Sequence, residues 1–260
     1  MTPPSLAALA FAAAALVSAP SARADESGAE ATSRTVRGIV ELFTSQGCAE
    51  CPKADAVLAR LAARPDYVAL AYHVDYWDYI GWEDPLGSRR NAERQKGYSK
   101  AMRLGGLSTP QAIVNGQAAL GGADEAAIER AVGAAPLPGA DGQPTIEMRL
   151  SGDTLSLRVA AGPQPEGARP PALILATYAK TTSTQVARGE NQGRQLLNTH
   201  AVRDWRAVGV IGPDGRLSVD MPLGLLADPD AEAGGCVALI QAMDKDDRPG
   251  RILAAAALRF

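Results

Sequence analysis

Apolar and polar positions divide the chain into two regions of different texture. Arg37 to Thr44, RGIVELFT, is a mostly apolar run that predicts a strand. Beyond two cysteines, Ala54, Val57, Leu58, Leu61 and Ala62 recur at helical spacing, with Lys53, Asp55 and Arg60 assigned to the opposite face. Arg64-Pro65-Asp66 ends that helix. Tyr67 to Val74, YVALAYHV, reads as a strand buried on both faces, as in parallel sheets. Strand, helix and strand in that order predict a right-handed βαβ unit. A polar, aromatic stretch follows, with a thinly apolar surface helix over 86–103. STPQAIVNGQAAL, 108–120, predicts two short strands about an Asn115-Gly116 turn, and Asp124 is placed to cap the helix EAAIERAVGA.

After PLPGADGQP, 136–144, the period changes. TIEMRL and TLSLRVA alternate strictly about SGD and predict a hairpin. ALILATYAK, WRAVGVI, RLSVDMPL, CVALIQAMD and RILAAAALRF add further strands. The expected organisation is a flexible segment over 25–35, an α/β domain over 36–135 with a helical insertion, a linker over 136–144, and a mainly antiparallel β-sandwich domain over 145–260.

The first residues decide what cysteines can do. Leu6 to Val17 is apolar but too short to span a bilayer, and Ala22-Arg23-Ala24 forms an A-x-A cleavage site. Residues 1–24 therefore read as a secretory signal peptide, which predicts a periplasmic or secreted protein with no membrane insertion. The chain carries 26 Lys+Arg against 29 Asp+Glu. That balance gives no electrostatic reason to expect nucleic acid or an anionic membrane as partner.

Cys48 and Cys51 fall where the first strand passes into the helix. Free N–H groups and the positive dipole end at a helix start favour a thiolate on Cys48. Cys51 lies one turn on, close enough to resolve a mixed disulfide. Pro52 suits an early helical position, Lys53 adds a helpful charge and Glu50 opposes it. A redox dithiol, a permanently closed structural disulfide and a metal site all remain open here. Tetrahedral zinc would want two more ligands. Copper held by Cys48, Cys51 and His73 is the metal alternative, since thiolate and imidazole suit it; otherwise no cofactor is expected. Cys236 opens an apolar strand and reads as an inert core thiol.

The βαβ context, Cys48-Ala49-Glu50-Cys51, Thr109-Pro110 ahead of a strand, and the closing hairpin and helix resemble the thioredoxin superfamily. VELFTSQGC-x-x-CP-x-AD, YHVDYWDYIGW-x-DP, TPQ-x-x-VNG and GENQGRQLLNTHAVR are similar, more closely, to exported thioredoxin-like proteins of domain-of-unknown-function family 1223. The resemblance implies a thioredoxin-like fold for 36–135 and a cis Pro110 packed against the dithiol. The family's name carries no established function. The cysteines at the helix start themselves predict thiol–disulfide exchange with Cys48 attacking and Cys51 resolving, its direction left open, and protein thiols or disulfides in the exported compartment as partners. Two departures stand out: Gly47 replaces the aromatic residue that precedes the first cysteine in the simplest members, and 75–100 is an insertion.

Further candidates surround this pair. In the superfamily a buried acid near the first strand accepts the resolving thiol's proton, and Glu41 is the candidate, its strand face left open. His73, Asp75, Trp77 and Trp82, with Thr109, read either as a substrate wall beside the dithiol or as a packed aromatic cap with solvated aspartates. Arg188, Glu190, Asn191, Asn198, His200 and Arg203 lie in a polar connection that either orders its own loop or faces the dithiol or a partner.

Overall fold

A computed structural model describes residues 28–162, 169–225 and 233–260. The expected signal peptide lies outside the described residues. Strand β1 is Ala29–Thr32, inside the segment expected to be a flexible lead; it pairs antiparallel with β6 (Thr145–Ser151). The βαβ unit is β2 (Gly38–Thr44), α1 (Cys51–Ala62) and β3 (Tyr67–His73), with β2 and β3 parallel. Helix α2 (Arg89–Ala101) follows, then β4 (Gln111–Val114), β5 (Ala118–Gly121) and α3 (Glu125–Ala134). Asp124 caps α3 through a bond from the Ala127 N–H. A short helix, α4 (Pro138–Asp141), occupies the expected linker. The remaining strands are β7 (Thr154–Ala160), β8 (Ala172–Gln185), β9 (Gln195–Val210), β10 (Arg216–Pro222), β11 (Ala233–Met243) and β12 (Pro249–Arg259).

Among the described residues these strands form two sheets. The smaller has the order β1-β6-β7-β10, and the larger runs β12-β11-β8-β9-β3-β2-β4-β5. This overturns the expected fold class of a thioredoxin-like α/β domain followed by a separate β-sandwich domain. The molecule is mostly β, and one sheet takes strands from both sides of α4. The join is β9, which runs parallel beside β3 with Ala201 opposite Ala71.

The cores explain why the two halves do not separate. The larger sheet curls until its edge strand β12 meets the β4–β5 turn, where the Ile252 N–H donates to the Asn115 carbonyl at 2.9 Å. Ile39, Phe43, Leu70 and Tyr72 from the first half share one buried cluster with Ile174, Ala176, Val237 and Leu239 from the second. Residues on the opposite face of β2, β3 and β4, such as Val40, Leu42, Ala69 and Ala112, pack under α1 and α3. The smaller sheet covers the outer face of β8, β11 and β12 through Met148, Leu157, Leu175 and Ile240. Splitting the chain at 136–144 would expose the shared cluster, at about 1.5–3 kcal/mol for each large apolar side chain lost to water.

Candidate functional site

Side chains on a strand alternate between faces. On β2, Ile39, Glu41 and Phe43 point into the curl, while Val40, Leu42 and Thr44 point toward α1. On β3, Val68, Leu70 and Tyr72 point inward, and Ala69, Ala71 and His73 toward α1. Thr44 and His73 are register partners at the carboxyl ends of their strands, just where the cysteine loop begins.

Cys48 and Cys51 are joined in a disulfide, with Cα atoms 5.4 Å apart. Cys51 is the first residue of α1, and Pro52 follows in its first turn. Cys48 is 2% exposed and Cys51 is fully buried. Gly47 is explained by crowding: a Cβ there would meet Trp77 Cβ at 3.1 Å and Ile80 Cδ1 at 3.3 Å. The Thr109–Pro110 bond is cis. Pro110 lies beside α1's first turn, since a Cβ on Gly122 would come within 3.0 Å of Ala54 Cβ and 3.1 Å of Pro110 Cβ. Trp77 links the two regions. It packs on Gly47 and donates its indole N–H to Thr109 Oγ1 at 2.7 Å. Trp77 stacks with Tyr79, which is 82% exposed. Trp82 donates to Gln46 Oε1 at 3.2 Å. Asp75 is half-buried, and its carbonyl accepts from the Asp78 N–H.

Beneath the cysteine loop sits a buried ionisable cluster. Asp55, four residues after Cys51 on the same helix face, accepts from Thr44 Oγ1 at 2.8 Å and from Asn198 Nδ2 at 3.2 Å. His73 Nδ1 is 2.7 Å from Asp84 Oδ2, and both side chains are fully buried. Asp84 also accepts from the N–H groups of Gln46 and Leu86. Burial pushes the Asp55 carboxyl up to about 6, against the His73 charge and the Thr44 bond. Burial works against charge on His73, but the Asp84 and Asp55 carboxylates outweigh it and hold the imidazole above its usual range. Burial also opposes ionisation of Asp84; His73 and the backbone N–H bonds outweigh it and hold this carboxyl low. Nδ1 therefore carries the proton donated to Asp84. His73 Nε2 is buried with no hydrogen-bond partner among the described residues.

Glu41 is not part of this cluster. It points into the curl, opposite α1, and is fully buried in an ion pair with Arg94 Nε at 2.7 Å. Tyr98 OH donates to its other oxygen, and Gln241 bonds both Arg94 and Tyr98. Strand alternation puts this acid on the face opposite α1, the wrong one to meet Cys51. Asp55 is the acid on the α1 side, and the sequence carries a signal for it. Buried positions on α1 fall at 51, 54, 55, 57, 58, 61 and 62, so Asp55 is a carboxylate inside the apolar stripe, not on the solvent face.

The polar connection of the second half is a structured arm. β8 and β9 extend past the core as a hairpin paired to Gln185–Gln195, and β9 crosses α1. Its tip reaches the cysteine loop. Asn191 Nδ2 donates to the carbonyls of Gln46 and Cys48, each at 2.9 Å, and Glu190 Oε2 accepts from the Ala49 N–H at 2.9 Å. Asn198 also accepts from Gln46 Nε2. His200 instead faces Ala69 and Tyr178. Among the described residues no group of three or more His, Cys, Asp or Glu is arranged to hold a metal ion, and no helix is long and apolar enough to cross a membrane. Cys236 is a free thiol in the core, pushed by burial to about 12.

A family described as "Protein of unknown function (DUF1223)" matches residues 39–241. The crystal structure of a protein from Agrobacterium tumefaciens is similar, with 34% sequence identity and a TM-score of 0.73. The match covers 86% of this chain and 94% of that one. Comparison with curated proteins gives no match. The family match spans the cysteine loop, the buried cluster and the hairpin arm alike, and the chain belongs to the DUF1223 family of proteins of unknown function.

Proposed function

We propose that the protein exchanges thiols and disulfides through Cys48 and Cys51, in the exported setting that its first 24 residues suggest. The observation that carries this is the buried cluster under the pair. A disulfide serving only as a clip has no use for three ionisable side chains held out of water beside it, and burying charge is costly. Perturbed, buried titratable groups around a nucleophile are what a proton-coupled reaction requires.

In this reading a substrate thiolate attacks Cys48 Sγ. A substrate–Cys48 disulfide forms as the Cys48–Cys51 bond breaks, and Cys51 leaves as a thiolate. Asp55, protonatable near pH 6, gives its proton to Cys51 and is reprotonated from solvent. A second substrate thiolate then attacks the substrate sulfur, and Cys48 leaves and takes a proton from water. The substrate loses two electrons and two protons, which the protein holds as two thiols. The reverse sequence reduces a substrate disulfide. Pro110, Thr109, Trp77 and Trp82 border the pair as the substrate wall, with partners that are protein thiols or disulfides.

The test is limiting alkylation of reduced protein, with the reduction potential measured with and without copper. Cys48 should label before Cys51, and Cys51→Ala should trap mixed disulfides where Cys48→Ala does not. A disulfide that resists strong reductant in the native protein would identify a structural clip. Tight binding of one Cu(I), lost in His73→Ala, would identify a metal module instead.

A further inference from the structure

Resting on the exchange reading, we infer that Glu190 sets the poise of the dithiol by occupying an amide that a Cys48 thiolate would otherwise use. The N–H groups at a helix start are what lower a cysteine's pKa there. Two of those nearest Cys48 are already engaged within the loop. The Cys48 N–H bonds the Ser45 carbonyl and the Cys51 N–H bonds the Cys48 carbonyl, each at 3.2 Å. The N-cap residue, Glu50, makes no capping bond with its side chain. The Ala49 N–H, adjacent to Cys48 in the chain, goes to the Glu190 carboxylate at 2.9 Å, across 141 residues of sequence.

The placement of Glu190 is built, not incidental. Next to it, Asn191 is 1% exposed and holds the carbonyls of Gln46 and Cys48. Arg194 in turn donates to Asn191 Oδ1 at 2.7 Å. Gly189 turns the tip with φ +77°, and a Cβ there would press on Trp82 Cβ at 3.3 Å and Ile80 Cδ1 at 3.4 Å. The tip is thus fixed on both sides of Glu190. Glu50 is closer in sequence to the cysteines, but its carboxylate turns to Lys53 Nζ at 3.2 Å. The Glu50 and Lys53 charges offset each other, whereas Glu190 sets its carboxylate directly on an amide next to Cys48.

A carboxylate on that amide competes with a thiolate for the same donor and repels it. Glu190 therefore holds Cys48 in its protonated form and disfavours the reduced pair wherever that pair depends on a thiolate. Glu190 is a positioning residue: it acts on Cys48 through the Ala49 amide and touches no substrate.

The experiment titrates Cys48 by thiolate ultraviolet absorbance in a Cys51→Ala background; Cys236, at about 12, stays silent over the range used. Glu190→Gln should raise the Cys48 acid dissociation constant about two- to fivefold, the size of one charge effect at a helix N-terminus. In the two-cysteine protein, above the thiol's ionisation, equilibrium with a reference dithiol should move by the same factor toward the reduced protein. That is about 10–20 mV. Glu50→Gln is the control and should move both readings less. A Glu190→Gln titration that overlays the parent, or an equal shift from Glu50→Gln, overturns the assignment. Failure of the wild-type protein to exchange at all sinks the exchange reading, while the titration still judges Glu190.

Discussion

Access to Cys48 depends on the hairpin tip, so the sharpest perturbation is Asn191→Ala. Asn191 donates to the Gln46 and Cys48 carbonyls at 2.9 Å each, and its own exposure is 1%. Truncation removes both bonds and strands the Gln46 carbonyl beneath the tip, while the Cys48 carbonyl keeps the Cys51 N–H. Leaving a buried acceptor unsatisfied costs about 1–3 kcal/mol, and opening the tip relieves that cost by admitting water. Opening should therefore become easier by about 2 kcal/mol, roughly thirtyfold in the open population. Cys48 is 2% exposed in the closed form, so attack on its sulfur should follow that population. The assay is pseudo-first-order reduction of the disulfide by a bulky dithiol at fixed pH, with circular dichroism to confirm the native fold. The rate should rise about thirtyfold in Asn191→Ala, and at least as much in Asn191→Asp, whose carboxylate would face two carbonyls. Unchanged rates in both folded variants would refute the idea that the tip governs access.

Three further outcomes follow from the same geometry. Glu41→Gln leaves Arg94 without its charged partner inside the curl and should cost about 3–5 kcal/mol in denaturant unfolding, while the pH dependence of dithiol exchange stays that of the parent. Parallel shifts in both would return Glu41 to the site. Native protein with its disulfide intact should give no thiol labelling, because Cys236 is fully buried and its thiol ionises only near 12; rapid labelling would mean that the core opens. Asp55 rises from 3.8 to about 6 on folding. Its protonated form thus contributes stability in full below pH ~4 that is lost as pH climbs through about 6, in total about 3 kcal/mol. The stability of wild type relative to Asp55→Asn should fall by that amount over this interval, and a flat difference would show that the carboxyl is not held protonated.

The individual elements were legible from local pattern: α1 and α3 by helical period, β2 and β3 as apolar runs buried on both faces, and Asp124 by its capping position. The assembly was not legible, because strand order leaves no mark on the period. The arm that carries the joining strand β9 gives no strand signal: Thr181 to Gln185 of β8 hold no apolar side chain, and in β9 Leu196 and Leu197 are adjacent, so apolar and polar residues do not alternate cleanly. One face of this arm meets the polar cysteine loop and the other meets solvent, so neither face demands an apolar stripe. A pattern reading therefore sees a loop and cuts the chain beside it, where the structure has the strand that makes one sheet of two halves.

The site divides along the same line. Cys48, Cys51 and Pro110 are local features, visible from spacing and from their place before a helix or a strand. The groups that act on them are long-range: Asp84 reaches His73 across 11 residues, Asn198 reaches Asp55 across 143, and Glu190 reaches Ala49 across 141. Glu41 was misassigned because a single residue of strand offset reverses the face, and here it exchanges the dithiol for Arg94. Asp55 was passed over for the opposite reason, since a charged residue was given to solvent although its helical position lies among buried neighbours. A carboxylate that keeps a core position must be held there by compensating bonds, and the Thr44 hydroxyl and Asn198 amide supply them. The arm contributes Asn198 as well as Glu190 and Asn191. The second half of the chain therefore completes the surroundings of a pair of cysteines that belongs to the first.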